Sequence, residues 1–259
     1  MKANQVAAQL YTVRDFLKTP AEIKRSLRRI RTIGYQTVQI SGVGEIADAE
    51  LSRILKGEGL SVCSLHEKGD TILTEPNLVA ERLERFGCTS IAYPFPSGVA
   101  LGTLAQVRTF ARALNRAGAA YHSLGKVLSY HNHDIEFVRL GAQTILELLF
   151  SETDPKNLTA ELDTYWVQAG GANPADWVRK LKRRLPILHM KDYGVTAERR
   201  PVFREIGAGN LDWHEITREA GRSGCEWYVV EQDANWINND PFRSLTASFE
   251  FIQETLVTA

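Results

Sequence analysis

Eight short apolar runs alternate with eight longer amphipathic stretches, and this alternation limits the fold more than any other feature of the chain. The runs are Val6–Tyr11, Thr37–Ile40, Ser61–Leu65, Ser90–Tyr93, Val127–His131, Leu158–Asp163, Ile187–Lys191 and Trp227–Glu231. Each is four to six residues long, which suits a buried strand and is too short for a helix.

The stretches between them carry helical periodicity. In Ala21–Ile33, Ile23, Leu27 and Ile30 share one face and basic residues fill the other. Asp48–Lys56, Pro76–Phe86, Leu101–Ser123, Ala142–Phe150, Pro174–Leu181, Asp212–Ser223 and Pro241–Leu256 complete the set. Pro76, Pro174 and Pro241 suit first helical turns, and Gly34, Gly57, Gly87 and Gly224 suit helix ends. Strict alternation makes neighbouring strands parallel and their crossovers right-handed. Eight such units in 259 residues predict an α/β chain folded as a single (β/α)8 TIM barrel, one domain over residues 1–259.

Charge narrows the partners. Thirty-one basic and 31 acidic residues cancel, so there is no bulk field to draw in a phosphate backbone or an anionic lipid surface. Neither nucleic acid nor membrane is an expected partner. The opening MKANQVAAQLYTVRD lacks the apolar core of a secretion signal, and no stretch approaches the ~20 apolar residues of a membrane span. Cys63, Cys88 and Cys225 match no metal-binding spacing, and an odd, low count fits a reducing compartment. A cytoplasmic protein is expected.

Gly42-Val43-Gly44-Glu45-Ile46-Ala47 fits a dinucleotide-binding fingerprint, with Glu67 about 20 residues further on. It follows the second run rather than the first, and no domain boundary follows it. A tight strand-to-helix loop is the expected reading.

In a parallel barrel alternate side chains point inward, and functional sites form at the C-terminal rim. The last inward positions of the runs are Gln9 and Tyr11, Gln39, His66, Tyr93, His131 with His133, Glu161 with Asp163, His189 with Lys191, and Glu231 with Asp233. Ionisable groups inside a barrel are costly unless paired or ligated. Their convergence predicts a shared site. Asp163, His189, Glu231 and a histidine offer the nitrogen and oxygen donors that divalent Mn, Co, Mg, Zn or Fe accepts. Taken alone, Asp163 serves equally well as a helix N-cap. Glu161, one layer deeper, reads as a buried hydrogen-bonding group, and Asp192 and Asp233 read as loop residues.

The segments AAQLYTVRD, YHNHDIEF, ELDTYW, LHMKDY, EIGAGNLDW and WYVVEQD, in this order and at barrel spacing, resemble the sugar phosphate isomerase/epimerases with the xylose isomerase-like barrel. The resemblance runs over nearly the whole chain. It implies one divalent metal ion, manganese most often, held by Asp163, His189 and Glu231. The family's first glutamate ligand has no clean counterpart. His131 stands at that strand end, as histidine does in the inosose dehydratase-like branch, and Glu136 lies five residues on. His131 is favoured as the fourth ligand, with Glu136 as a substrate-binding or supporting group.

The implied activity is that of an isomerase or epimerase acting on a small sugar or keto-sugar. A base among Glu231, His131 and His133 removes the α-proton, and the metal stabilises the resulting enediolate. Lys191 would hold substrate oxygens or the developing charge, His66 a substrate hydroxyl, and Trp236 a sugar face. A free sugar or cyclitol is expected, because "GAGN" (207–210) is the one weak candidate for a phosphate nest. Histidine in place of the first glutamate unsettles the symmetric acid–base pair of the epimerases. Expulsion of a β-hydroxyl, as by a dehydratase or lyase of an inosose or keto-sugar, is therefore the alternative. A non-catalytic sugar-binding barrel is a further rival. Six histidines and zero net charge speak against an abasic-site endonuclease. A homo-oligomer is compatible with such barrels.

Overall fold

Residues 1–258 are described by the computed structural model. Eight parallel strands close into a barrel: Val6–Gln9, Thr37–Ile40, Ser61–His66, Ser90–Tyr93, Val127–His131, Thr159–Asp163, Ile187–Met190 and Trp227–Val230. Each pairs with its neighbours in sequence, and the first pairs with the last through Ala7 and Val229. They are called the first to eighth strands below. All eight expected strands form, and the helices between them lie outside.

Several boundaries differ from expectation for local reasons. The first strand stops at Gln9, whose side chain accepts the Tyr11 amide at 3.2 Å and starts the 3-10 stretch Leu10–Phe16. The stretch expected as a helix from Ala142 begins instead with a small hairpin. Thr144 caps helix Ile145–Ser151 in a reciprocal box with Glu147, so the helix cannot start earlier. Thr103 caps Leu104–Ser123 by a single bond, its hydroxyl accepting the Gln106 amide at 3.3 Å. A second hairpin, Asp192–Val195 with Pro201–Arg204, follows the seventh strand and was not expected. Two short helices, Gly69–Thr74 and Thr164–Ala169, are also additional.

The barrel interior is layered. Its floor is the small apolar cluster Ala7, Cys63, Ile187 and Val229. Above it lie Gln9, Gln39, Ser64, Ser129 and Glu161, none with any exposed surface. A register slip between the second and third strands pairs Val38 with Val62 but Gln39 with Ser64. The extra residue, Cys63, joins the floor, and the slip leaves His66 on the inner side of the rim. Tyr93 was expected to face inward and does not. It is paired with Tyr130, stacks on that ring at 5.8 Å and meets Phe110 of helix Leu104–Ser123 at 5.2 Å. Ala92, in register with His66, takes the inward position.

Candidate active site

Strand ends and helix caps deliver the central side chains together. Asp163 ends the sixth strand and is also the N-cap of Thr164–Ala169, its Oδ1 accepting the Trp166 amide at 3.0 Å. That bond fixes the carboxylate and leaves Oδ2 buried with no hydrogen-bond donor, 3.5 Å from Lys191 Nζ. The cap and the ligand readings of Asp163 are thus compatible. His189 has no exposed surface. Its Nε2 lies 2.6 Å from Gln39 Oε1 and 3.0 Å from Glu161 Oε1, and its Nδ1 lies 3.1 Å from Glu231 Oε2. Lys191 is 2% exposed, with Nζ 2.6 Å from Asp233 Oδ2 and 3.0 Å from Glu231 Oε2.

His131, Asp163, His189 and Glu231 each offer a ligand atom, all within 4.8 Å of one another. Ligands on opposite sides of a divalent ion at ~2.1 Å stand ~4.2 Å apart, so small adjustments bring all four onto one ion. The buried, unpartnered Asp163 Oδ2 fits the same reading. His66, His131, Glu161 and His189 form a second close group. There, however, Glu161 is already engaged by Gln39 Nε2 and His66 Nε2, each at 2.5 Å, so it is a hydrogen-bonded cluster.

Electrostatics divides these groups. Burial pushes the Asp163 carboxyl up, and it stands at about 7 even beside the Lys191 ammonium. Burial would raise Glu231 too, but Lys191 and then His189 hold it well below the usual carboxylate range. Burial disfavours the His189 imidazolium, yet Glu161 outweighs it and lifts the ring to about 10. His133 is pushed down to about 3, by burial first and then by the Lys191 charge, so it is neutral at physiological pH.

A cavity of about 690 Å³ opens above the cluster, with Tyr11, His66, Phe95, His133, Lys191 and Asp233 among its walls. Around it, His133 Nδ1, Trp166 Nε1 and Asp233 Oδ1 are buried without partners. The hairpin after the seventh strand brings Phe203 onto Tyr165 at 4.1 Å and over Lys191 at 5.3 Å, excluding water from that side.

Two expected site residues lie elsewhere. Glu136 is fully buried, but its carboxylate accepts the Tyr130 hydroxyl at 2.6 Å and the His133 amide at 2.7 Å, on the outer face of the fifth strand. It shapes the loop that presents His133 and does not line the cavity. Trp236 donates its Nε1 to the Gln232 carbonyl at 3.0 Å and is also outside the cavity wall. Asp192 and Asp233, expected as loop residues, are both engaged. The Asp192 carboxylate accepts the Gly207 and Gly209 amides and Trp213 Nε1, which fills the suspected phosphate nest from within. Asp233 pairs with Lys191, and its position two residues beyond Glu231 was the available signal. The glycine fingerprint is a tight loop. Gly44 donates to the Leu17 carbonyl at 2.8 Å, and a Cβ there would meet that oxygen.

Fold and cluster together define a closed parallel (β/α)8 barrel with carboxylates and imidazoles gathered at its C-terminal rim. The chain belongs to the xylose isomerase-like TIM barrel family, whose model matches residues 27–255. It is 27% identical over 159 residues to an inosose dehydratase of Geobacillus thermodenitrificans (strain NG80-2). That match covers 55% of this chain and 52% of the relative, so the chain spans about half the length of the curated relatives it matches. A sugar phosphate isomerase/epimerase from Parabacteroides distasonis ATCC 8503 superposes with a TM-score of 0.82 at 19% identity, covering 97% of this chain and 98% of the other. A xylose isomerase-like TIM barrel protein from Mycobacterium smegmatis, in complex with magnesium, gives 0.78 at 14% identity, covering 98% and 97%. At such identities the likeness to both structures shows the fold.

Proposed function

We propose that the chain is a divalent-metal-dependent enzyme that removes the proton α to the carbonyl of a free keto-sugar or cyclitol, as an isomerase or epimerase. The observation that carries this reading is the meeting of His131, Asp163, His189 and Glu231 within 4.8 Å beside a cavity that His66, His133, Lys191 and Asp233 line. Manganese is the first choice of ion, and Co, Mg, Zn and Fe suit the same donors. When bound, the ion supplies Lewis-acid polarisation of a carbonyl group.

The chain's own residues do the rest. Glu231 is tied to His189 and Lys191, and His131 belongs to the ligand set, so His133 is the uncommitted base. Burial keeps His133 neutral, the state that accepts a proton, and negative charge forming beside it favours its protonated form. Lys191 is a fixed cation positioned for charge developing on substrate oxygen. His66 lines the cavity, with Nε2 held by Glu161, and meets a hydroxyl through its other nitrogen.

An uncharged substrate is favoured because two of the three lysine and arginine side chains on the cavity wall, Arg82 and Lys191 but not Lys68, are committed. Arg82 bonds both Asp48 and Glu67, and Lys191 bonds Asp233. One observation favours a second reading. Histidine at position 131 leaves Glu231 as the single glutamate among the four candidate ligands, so the paired-glutamate symmetry of the epimerases is lacking. A lyase that expels a β-hydroxyl needs no such symmetry, and the half-length similarity to inosose dehydratases supports it.

Incubation with ketoses, keto-sugars and inososes in D2O with Mn2+ tests both. Deuterium at one carbon identifies the proton removed, and an epimer, an isomer or a dehydrated product distinguishes the readings. Metal-loaded protein that exchanges no carbon-bound hydrogen in any of these compounds would overturn the proposal.

A further inference from the structure

We infer that Glu161 is the positioning residue of the candidate metal centre, its carboxylate fixing which ring nitrogen His189 and His66 turn toward the cavity. This rests on the metal reading proposed above.

Glu161 precedes Asp163 by two residues on the sixth strand, so both carboxylates project into the barrel, one layer apart. It has no exposed surface. Its Oε2 accepts from Gln39 Nε2 at 2.5 Å. Its Oε1 lies 2.5 Å from His66 Nε2, 3.0 Å from His189 Nε2 and 3.5 Å from His131 Nδ1. A single oxygen thus gathers rings from the third, fifth and seventh strands.

The hydrogen-bond logic fixes the tautomers. An ionised carboxylate only accepts, so the Gln39 group facing Glu161 is its amide nitrogen. Gln39 Oε1 is then an acceptor, taking Gln9 Nε2 at 2.7 Å and facing His189 Nε2 at 2.6 Å. Both oxygens around His189 Nε2 are acceptors, so that nitrogen carries a hydrogen. Nδ1, 3.1 Å from Glu231 Oε2, shares its proton with that carboxylate until an ion held by Glu231 and Asp163 displaces it, and then offers its lone pair to the ion. The same rule puts a hydrogen on His66 Nε2, which faces Glu161, and turns Nδ1 toward the cavity that the ring lines.

Packing alone gives no reason for a carboxylate at this depth. The layer beneath is apolar, and a buried ionised group stabilises no better than a well-packed hydrophobic one. Its place directly under the ligand rings is where a carboxylate orients a metal-binding histidine, and losing such a partner typically costs ~10–100-fold in metal affinity.

The test compares wild-type, Glu161→Gln and Glu161→Asp proteins. Mn2+ affinity is measured by competition with a fluorescent chelator, and histidine tautomers are read by long-range 15N–1H NMR on Zn2+-loaded protein. Both variants should keep the wild-type circular dichroism and lose ~10–100-fold in Mn2+ affinity. Wild-type His189 should show hydrogen on Nε2 and zinc on Nδ1. A folded Glu161→Gln protein that binds Mn2+ as wild type does overturns the inference. So does wild-type His189 bound to zinc through Nε2, and that spectrum decides the matter even if both variants fail to fold. Wild type that takes up neither ion overturns the metal reading along with it, whereas equal binding by wild type and variant overturns this inference alone.

Discussion

Lys191 Nζ lies 2.6 Å from Asp233 Oδ2 at the centre of the rim, with the lysine side chain 2% exposed. The same ammonium is 3.0 Å from Glu231 and 3.5 Å from Asp163, so one cation faces three carboxylates. Burial disfavours its charge, but the three acids outweigh burial and raise its proton affinity, so it stays charged across the accessible pH range. A permanently charged lysine among candidate metal ligands shares their carboxylates with any ion that binds, and this has a measurable consequence.

Lys191→Met removes that charge and leaves the carboxylates facing one another. Breaking a buried pair in this way costs about 3–5 kcal/mol, so the variant melts well below wild type without metal. A divalent ion restores the missing charge, so Mn2+ should raise the melting temperature of the variant by more than it raises that of wild type. Turnover should fall by ~100–1,000-fold, the usual loss when one electrostatic stabiliser is removed. Thermal melts with and without Mn2+ check the stability arm. Equal Mn2+ increments in both proteins would show that lysine and ion do not share the carboxylates.

Asp163→Asn and Glu231→Gln keep shape while removing charge. Asparagine at 163 still offers Oδ1 to the Trp166 amide, so the cap of Thr164–Ala169 survives. Metal content should drop in both variants, and turnover should fall by at least ~100-fold with the fold intact. Circular dichroism, metal analysis and assay on one preparation separate these effects. A near-wild-type rate at either position removes that residue from the site.

The rim residues were legible because each ends an apolar run, and strand periodicity turns a run's end into a direction. His131, Asp163, His189 and Glu231 were found in that way, and the structure brings them together. The phase of the fourth strand was not legible. Buried parallel strands are apolar on both faces, so Ser90–Tyr93 has no alternation to say whether Ala92 or Tyr93 looks inward. Glu136 was equally indeterminate. Its offset from His131 is compatible with curling into the barrel or out of it, and the 3-10 turn Ile135–Phe137 takes it out, onto Tyr130. Glu161 was recognised as a buried hydrogen-bonding group. Its partners, drawn from four other strands, become visible only once the barrel closes.

Cys63, Cys88 and Cys225 are all buried free thiols. Burial pushes Cys88 and Cys225 up to about 12 and Cys63 well above its ordinary value. Tyr93 and Tyr165 are likewise pushed up to about 12 by burial. Each folded-state value lies above the unfolded one, near 8.5 for a thiol, so the stability these neutral groups contribute is complete below about pH 8.5. It is lost as pH rises toward about 12. Urea midpoints should fall steadily from about pH 9 upward, and native protein at about pH 8 should react with a disulfide reagent only as fast as it opens. A midpoint unchanged between about pH 7 and 11 would contradict the assignment.

Gly118→Ala sets two effects of opposite sign against each other. Gly118 lies inside helix Leu104–Ser123, where alanine is normally better than glycine by ~1 kcal/mol. A Cβ at this position would stand 1.8 Å from the Asn157 carbonyl oxygen and 2.5 Å from its carbon. The Asn157 backbone cannot easily retreat. Its amide donates to the Asp154 carbonyl at 2.9 Å, and its side chain donates to Asn115 Oδ1 at 3.2 Å, on the same helix. Arg184 holds the adjoining carbonyls of Phe150, Thr153 and Leu158. Relief therefore requires the helix to shift away from the start of the sixth strand, and overpacking of this kind costs about 1–3 kcal/mol or more, exceeding the propensity gain. The strand that begins there ends at Asp163, so the displacement runs toward the candidate metal ligands and should weaken Mn2+ binding as well. Urea denaturation and Mn2+ competition on the variant check both, and a midpoint at or above wild type would show that the helix and this loop are not in fixed contact.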